Sequence, residues 1–396
     1  MVISRSLFIF GEDFGVANVL NIFIVHIMVN EQELIYRITL TLIPGIGDML
    51  GKKLISYCGS VEAVFSEKQD LLLRIPGIGS ALAKSILSQK TFSRAEKELR
   101  FIQRYSIQPL FYLDSTYPDR LKQCEDNPLM IYYKGTADLN HKRPIAVVGT
   151  RRISEYGKIE CKRLIEGISL LDPLIVSGLA YGVDTCAHKS SLEFGLSTIG
   201  VLGHGLDRLY PNQNKQLAEK MLSQGGLLTE YLSETNPDAA NFPQRNRIIA
   251  GLCDAVVVVE AGVKGGALIT ADIANSYNRD VYALPGRVSD LYSKGCHFLI
   301  KTNRAALIEN AADLIFAMGW EIDKTTLVPQ LKLFEDLSSE EEKMVNILRD
   351  KGDSSIDTMV YDSNMTSGNV ASVLLNLEFK GVVKLLPGKV YRLLNA

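Results

Sequence analysis

Between Pro144 and Arg287 the chain repeats one device: a short apolar run that stops at a glycine-rich segment. Ile145–Val148 runs into Gly149-Thr150-Arg151-Arg152, Leu174–Val176 into Ser177-Gly178-Leu179-Ala180-Tyr181-Gly182, and Ser197–Leu202 into Gly203-His204-Gly205. Leu227–Thr229 follows. Ala255–Val259 then leads to Gly262, Gly265 and Gly266, and Val281–Leu284 to Pro285-Gly286-Arg287. Apolar runs without alternation suit strands buried on both faces, as in parallel sheets covered by helices. Helical stretches separate the runs, so the pattern predicts a doubly wound α/β domain reaching to about Trp320. Parallel strands point one way, so each glycine-rich segment that follows a strand falls on the carboxyl edge, where such sheets bind ligands.

The densest part of that edge is Phe242–Ala271, FPQRNRIIAGLCDAVVVVEAGVKGGALITA. Phe242-Pro243 and Arg245-Asn246-Arg247 open a helix carried by Ile248–Leu252, which Cys253-Asp254 breaks. The strand follows, and Lys264-Gly265-Gly266-Ala267 feeds the next helix. Helices here run opposite to strands, so the start of the Arg245 helix and the loop after Val259 share the carboxyl edge. Arg151, Arg152, Arg245, Arg247, Lys264 and Arg287 are too many cations for one small acid and suit successive phosphates. Phe242 beside them can stack a base, or act as a hydrophobic staple at its helix start.

Other chemistries find less support. The first strand is not followed by G-x-G-x-x-G and no G-x-x-x-x-G-K-[ST] occurs, which removes dinucleotide and P-loop cofactors. Ser177 and Thr270 lie near glycines, but His188 and His204 lack an evident third partner, and such hydroxyls usually cap helices. Asp184, Asp207 and Glu260 are dispersed, each read as a cap or an arginine partner rather than as a metal ligand. Cys58, Cys124, Cys161, Cys186, Cys253 and Cys296 form no CxxC pair, which predicts reduced thiols in a cytoplasmic protein without a metal site. With 43 basic and 45 acidic residues the net charge is −2, so nucleic-acid binding would have to come from a local patch.

Either side of the α/β domain the pattern changes. Residues 1–30 form an extra segment whose apolar part, Val16–Val29, is too short to span a bilayer. Met28 is the expected start, so the segment would lie upstream of it, and no membrane insertion is expected. Residues 31–104 read as helical and carry one hairpin twice, Leu42-Ile43-Pro44-Gly45-Ile46-Gly47 and Arg74-Ile75-Pro76-Gly77-Ile78-Gly79. This is a tandem helix-hairpin-helix unit of the SAM-like kind, with only Lys52, Lys53 and Lys84 as nearby charges, able to hold DNA phosphate or to serve structure alone. The α/β domain is assigned 105–322, opening with a connector of short strands, and 323–335 reads as a linker. Residues 336–396 suggest a winged helix: helices at Ser339–Arg349, Ile356–Tyr361 and Thr366–Phe379, then a ribbon of Val382–Leu386 and Val390–Leu393. Its third helix carries Asn369, Asn376 and Glu378 but no arginine, so protein contact or autoregulation is expected rather than groove reading.

In order, Gly149-Thr150-Arg151-Arg152 with Tyr156-Gly157, Ser177-Gly178-Leu179-Ala180 through Gly182-Val183-Asp184 to His188, Phe242-Pro243 with Arg245-Asn246-Arg247, and Leu284-Pro285-Gly286 resemble the bacterial DNA-processing protein A family (DprA, also called Smf). The resemblance extends from about residue 30 to the end. It implies an extended Rossmann-like domain between a helix-hairpin-helix region and a winged helix. It also implies a cytoplasmic homodimer that binds single-stranded DNA in natural transformation, protects it and loads the RecA recombinase, with no catalytic step and no cofactor. Carried over, the strand-binding edge falls on Gly149, Thr150, Arg151, Arg152, Ser177, Gly178, Leu179, Phe242, Arg245, Asn246, Arg247, Lys264, Gly265, Gly266 and Ala267. Lys264-Gly265-Gly266-Ala267 stands where a serine-glycine pair is common, His297 where asparagine is expected and Asn303 where glycine is usual. The alternative is a Rossmann-type nucleotide hydrolase of the lysine-decarboxylase-like class. Its PGG-x-GT-x-x-E signature is not met, because the helix after Gly266 carries Thr270 and Asp272 but no glutamate.

Overall fold

The computed structural model describes residues 31–88, 90–320, 337–386 and 390–393. The expected segment 1–30, the linker 323–335 and the turn at 387–389 lie outside the described residues. The chain forms two units, Met1–Glu321 and Ile322–Ala396.

In the first unit, helices α1 (31–42), α2 (Asp48–Cys58), α3 (Val61–Ser66), α4 (Gln69–Leu72), α5 (Ser80–Leu87) and α6 (Phe92–Arg104) precede the sheet. Both predicted hairpins form. Gly45 and Gly77 take φ +86° and +100°, a turn open to glycine, and α2 and α5 start directly after Gly47 and Gly79. The hairpins are not a body apart: Ile38, Leu40, Leu54, Ile86 and Ile102 share one buried cluster with Phe111, Met130 and Tyr132 of the segment read as a connector.

That connector supplies two antiparallel strands, β1 (Gln108–Phe111) and β2 (Met130–Gly135), with the short helix α7 (Asp119–Lys122) between them. Then come β3 (Pro144–Val148), α8 (Glu155–Ile168), β4 (Leu174–Ser177), α9 (Val183–Glu193), β5 (Thr198–Leu202), α10 (Lys215–Gln224) and β6 (Gly225–Thr229). The second half continues with α11 (Asn241–Gly251), β7 (Ala255–Val258), α12 (Gly266–Ser276), β8 (Asp280–Ala283), α13 (Lys294–Lys301), β9 (Ala306–Leu307) and α14 (Ala311–Ala317). The strand order is β1-β2-β6-β5-β4-β3-β7-β8-β9, parallel from β6 through β9, with β2 joined antiparallel to β6. From β3 the chain first winds toward β6 and then returns to add β7 on the other side. The reversal between β3 and β7 is the switch point where open sheets of this class leave a crevice.

Burial explains the unbroken apolar runs. Ile145 and Val147 face a cluster with Leu164, Ile168 and Leu314, while Ala146 and Val148 face the opposite cluster with Ile248, Ala271 and Leu299. β7 repeats this, with Ala255 and Val257 on one side and Val256 and Val258 on the other, all fully buried. Each valine, isoleucine or leucine among them taken fully from water contributes about 1.5–3 kcal/mol.

In the second unit, α15 (Ser339–Lys351), α16 (Ile356–Ser363) and α17 (Ser367–Phe379) precede a ribbon of β11 (Val383–Leu386) and β12 (Val390–Leu393), with β10 (Ser354–Ser355) completing the sheet on β12. Ser338 and Glu341 form a capping box at the start of α15, and Met344, Leu348, Val370, Leu374 and Val383 form the core. This is the expected winged helix.

Candidate nucleic-acid interface

The loops after β3 and β7 and the starts of α11 and α12 enclose a cleft of about 490 Å³ at the switch point. Gly149, Thr150, Arg151, Arg152, Phe242, Arg245, Asn246, Lys264, Gly265, Gly266 and Ala267 all line it, although their numbers span more than a hundred residues. Two close approaches build the wall. Gly182 has φ +79°, and a Cβ there would sit 2.1 Å from the Thr150 carbonyl oxygen, so only glycine lets the loop after β4 close on the loop after β3. At α8, Glu260 accepts from the Ser154 amide at 2.9 Å and from its hydroxyl, while Ser154 Oγ caps the Gly157 amide at 3.0 Å. Glu260 is therefore a structural acceptor, as its dispersed position suggested.

The cations divide into two kinds. Arg151, Arg152 and Lys264 are exposed and form no ion pair among the described residues. The Arg151 guanidinium lies 5.4 Å from the centre of the Phe242 ring. Beside them, α12 begins after Gly265 with no side chain capping its first turn; the Leu268 amide bonds the Gly265 carbonyl at 3.1 Å, while Gly266 and Ala267, whose amides have no side-chain acceptor, line the cleft. Uncapped amides, a helix dipole and two arginines make a site for negative charge.

Arg245 and Arg247 are of the second kind. Arg245 is 4% exposed; it donates to the Gly178 carbonyl at 2.7 Å and to the Val201 carbonyl, with Asn246 Oδ1 at 3.3 Å. Burial pushes the guanidinium down to about 10, against the opposing pull of Asp184, so it stays charged at neutral pH. Burial likewise raises the Asp184 carboxyl, and the Arg245 charge opposes that. Arg245 thus forms the floor of the cleft. Arg247 does not reach it: its guanidinium pairs with Asp48 at 3.1 Å and with Glu230, and donates to the Asp126 carbonyl at 2.6 Å. It ties α11 to the first hairpin, whose Asp48 also accepts from the Leu129 amide at 2.8 Å. Arg287 is exposed but does not line the cleft.

Ser177 and Leu179 lie under the surface. Ser177 donates to the Val147 carbonyl at 2.6 Å. Leu179 is fully buried with φ +60°, a conformation costing a side chain about 1–2 kcal/mol, and its carbonyl accepts from Asn214 Nδ2 at 2.9 Å. Gly178 is buried as well, and alone of the three it lines a depression beside the cleft. Thr270 donates to the Gly266 carbonyl at 3.0 Å. His188 donates from Nδ1 to Thr198 Oγ1 at 2.7 Å, and burial lowers its imidazole to about 3. His204 donates to the Gly205 carbonyl at 2.9 Å and accepts from the Tyr210 amide at 3.3 Å. These hydroxyls and imidazoles all serve the scaffold. No group of three or more metal-binding side chains gathers among the described residues. The two departures near α13 fit their places: His297 Nε2 donates to the Gly286 carbonyl at 2.9 Å, and Asn303 takes φ +55°, which asparagine tolerates in place of glycine.

Sequence reading missed Tyr181, Tyr210, Ala180 and Tyr292. Tyr181 and Tyr210 border the depression, while Ala180 and Tyr292 line the cleft. The signal was present for Tyr181, bracketed by glycine in a carboxyl-edge loop, and for Tyr210, which precedes a proline in the loop after β5.

Fold and site together define a doubly wound domain with a cation-lined cleft, flanked by a helix-hairpin-helix region and a winged helix. Comparisons with known proteins narrow this class. A family model described as DNA recombination-mediator protein A matches residues 108–319, a SAM-like helix-hairpin-helix tandem matches 38–89, and a DprA winged helix domain matches 335–389. The chain belongs to the DNA-processing protein A (DprA/Smf) family. It is 31% identical to Protein Smf of Synechocystis over 92% of this chain and the whole of that one. It is 34% identical to Protein Smf of Escherichia coli over 71% of this chain and 76% of that one. The crystal structure of DNA processing protein A from Streptococcus pneumoniae superposes with a TM-score of 0.62 at 35% identity, covering 72% of this chain and 96% of that one.

Proposed function

We propose that the chain binds single-stranded DNA along the carboxyl edge, shields the strand that enters during natural transformation, and loads a RecA-type recombinase onto it, making and breaking no covalent bond itself. The observation that carries this reading is the state of the cations. Arg151, Arg152 and Lys264 stand unpaired along an open cleft, beside the uncapped amides of α12 and the Phe242 ring. Unpaired cations in a row suit a repeating phosphate backbone, and an aromatic face suits any base, so affinity without sequence preference follows. The family description as a recombination mediator agrees with it. We place the protein in the cytoplasm as a homodimer, in which two such edges side by side let one strand run across both. Among the described residues no helix is long and apolar enough to cross a membrane.

Fluorescence anisotropy with labelled oligo-dT, its duplex counterpart and AMP as competitor tests the reading. Tight single-strand binding with a steep negative salt slope, weaker duplex binding and no AMP competition is the expected result. Weak, salt-insensitive DNA binding with AMP turnover would overturn it in favour of a nucleotide hydrolase. Recombinase assembly on a strand coated with single-strand-binding protein, with and without this chain, tests loading separately.

A further inference from the structure

The cleft does not end at Phe242. A shallow depression continues from it, sharing Arg151, Ala180 and Phe242 and bordered by Gly178, Tyr181 and Tyr210. Tyr181 is 40% exposed and Tyr210 46% exposed, and both line this depression. Both are held in place. The Tyr210 amide is anchored on His204 Nε2 at 3.3 Å, and its ring packs 5.9 Å from Phe242 at an angle of 40°. The Tyr181 hydroxyl is bonded to Gln213. Arg151, itself unpaired, lies between this depression and the cleft. Here fixed aromatic faces alternate with a free guanidinium, the pattern that suits bases and phosphates in turn.

We infer that Tyr181 and Tyr210 form a second base-stacking platform, receiving the nucleotides that leave the cleft past Arg151. This rests on the single-strand reading above and extends the strand path toward the loops after β4 and β5. The two rings have different tasks from Arg151, Arg152 and Lys264: they contact bases, and those residues contact the backbone. Removing a ring should therefore affect a strand with bases and spare a strand without them.

The test uses the full chain with labelled oligo-dT and an abasic strand of equal length. Tyr210→Ala and Tyr181→Ala should each weaken oligo-dT binding about tenfold, within the range of one lost stacking contact. They should leave abasic affinity and the salt slope unchanged. Tyr210→Phe and Tyr181→Phe, which keep the ring and drop the hydroxyl, should bind as the natural protein does, and thermal melts of all four should establish that they fold. If the alanine variants keep the natural ratio of oligo-dT to abasic affinity, or if the phenylalanine variants lose as much as the alanine ones, the platform is overturned. If the natural protein holds neither strand, the single-strand reading itself fails, a separate result.

Discussion

The carboxyl edge of the α/β domain and the winged helix deploy their cations differently. At the edge, Arg151, Arg152 and Lys264 form no ion pair among the described residues and sit beside the uncapped start of α12. In the winged helix, Lys351 pairs with Asp362 at 2.7 Å, Lys380 with Glu341 at 2.9 Å and Arg392 with Asp353 at 2.5 Å, while Lys343 donates to the Ser363 carbonyl. Where a recognition helix would present bases to a groove, α17 presents Leu375 and Phe379, the latter 82% exposed. At the hairpins Lys52 is bonded to Asn127 and Lys53 donates to the Pro76 carbonyl at 3.0 Å, whereas Lys84, like Lys384 of the winged helix, forms no ion pair among the described residues. A DNA-binding fold therefore says less about binding than the number of cations left without a partner.

Four predictions bear on this comparison. At neutral pH the largest effect belongs to Arg245, the cation buried at the floor of the cleft. Arg245→Ala leaves the Gly178 and Val201 carbonyls buried without a donor, and should lower stability by about 3 kcal/mol. A drop in melting temperature together with lost binding fits this; lost binding at natural stability would move Arg245 into the contact set.

Next is an acid effect from His188. Its folded value of about 3 lies below the ordinary 6.5, so the unfolded chain takes up a proton that the folded one refuses. Its contribution to stability is full above pH 6.5 and is lost as pH falls toward 3, by up to about 1.4 kcal/mol per pH unit. His188→Asn should flatten that part of the pH–stability curve, measured by denaturant melts; an unchanged slope would assign the acid sensitivity elsewhere.

Arg151→Ala should then weaken oligo-dT binding about tenfold without regard to sequence, and reduce the salt slope by about 0.7. The smallest effect is expected in the other region. Lys384→Glu, on the exposed face of β11, should leave oligo-dT affinity within about twofold, as suits a surface charge outside the proposed contact set. A tenfold loss there would erase the contrast between the two surfaces.

Much of this was legible in the chain. The unbroken runs Ile145–Val148 and Ala255–Val259 announced strands covered on both faces, and the glycines that follow them announced the edge. The winged helix could be read nearly to the residue because each helix starts at a serine or threonine cap: Ser338, Ser355 and Thr366. The fate of each arginine was not legible. Arg245 and Arg247 occupy the same first turns of α11, two residues apart, yet one turns under the Gly178 loop and the other toward Asp48, 199 positions away in sequence. A guanidinium near a helix start reads the same whether its partner is a phosphate or a distant carboxylate, and only tertiary packing decides. The same limit hid β1 and β2 as an antiparallel extension of the sheet, because short strands interrupted by Pro109, Pro118 and Pro128 carry no sign of what they pair with.

The most direct test of the central claim is the salt dependence of oligo-dT affinity in the natural protein and in Arg151→Ala/Arg152→Ala/Lys264→Ala. If these unpaired cations hold the strand, the triple variant should bind far more weakly, with its log–log slope shallower by about two. Parallel slopes with unchanged affinity would contradict the account and place the strand elsewhere on the molecule.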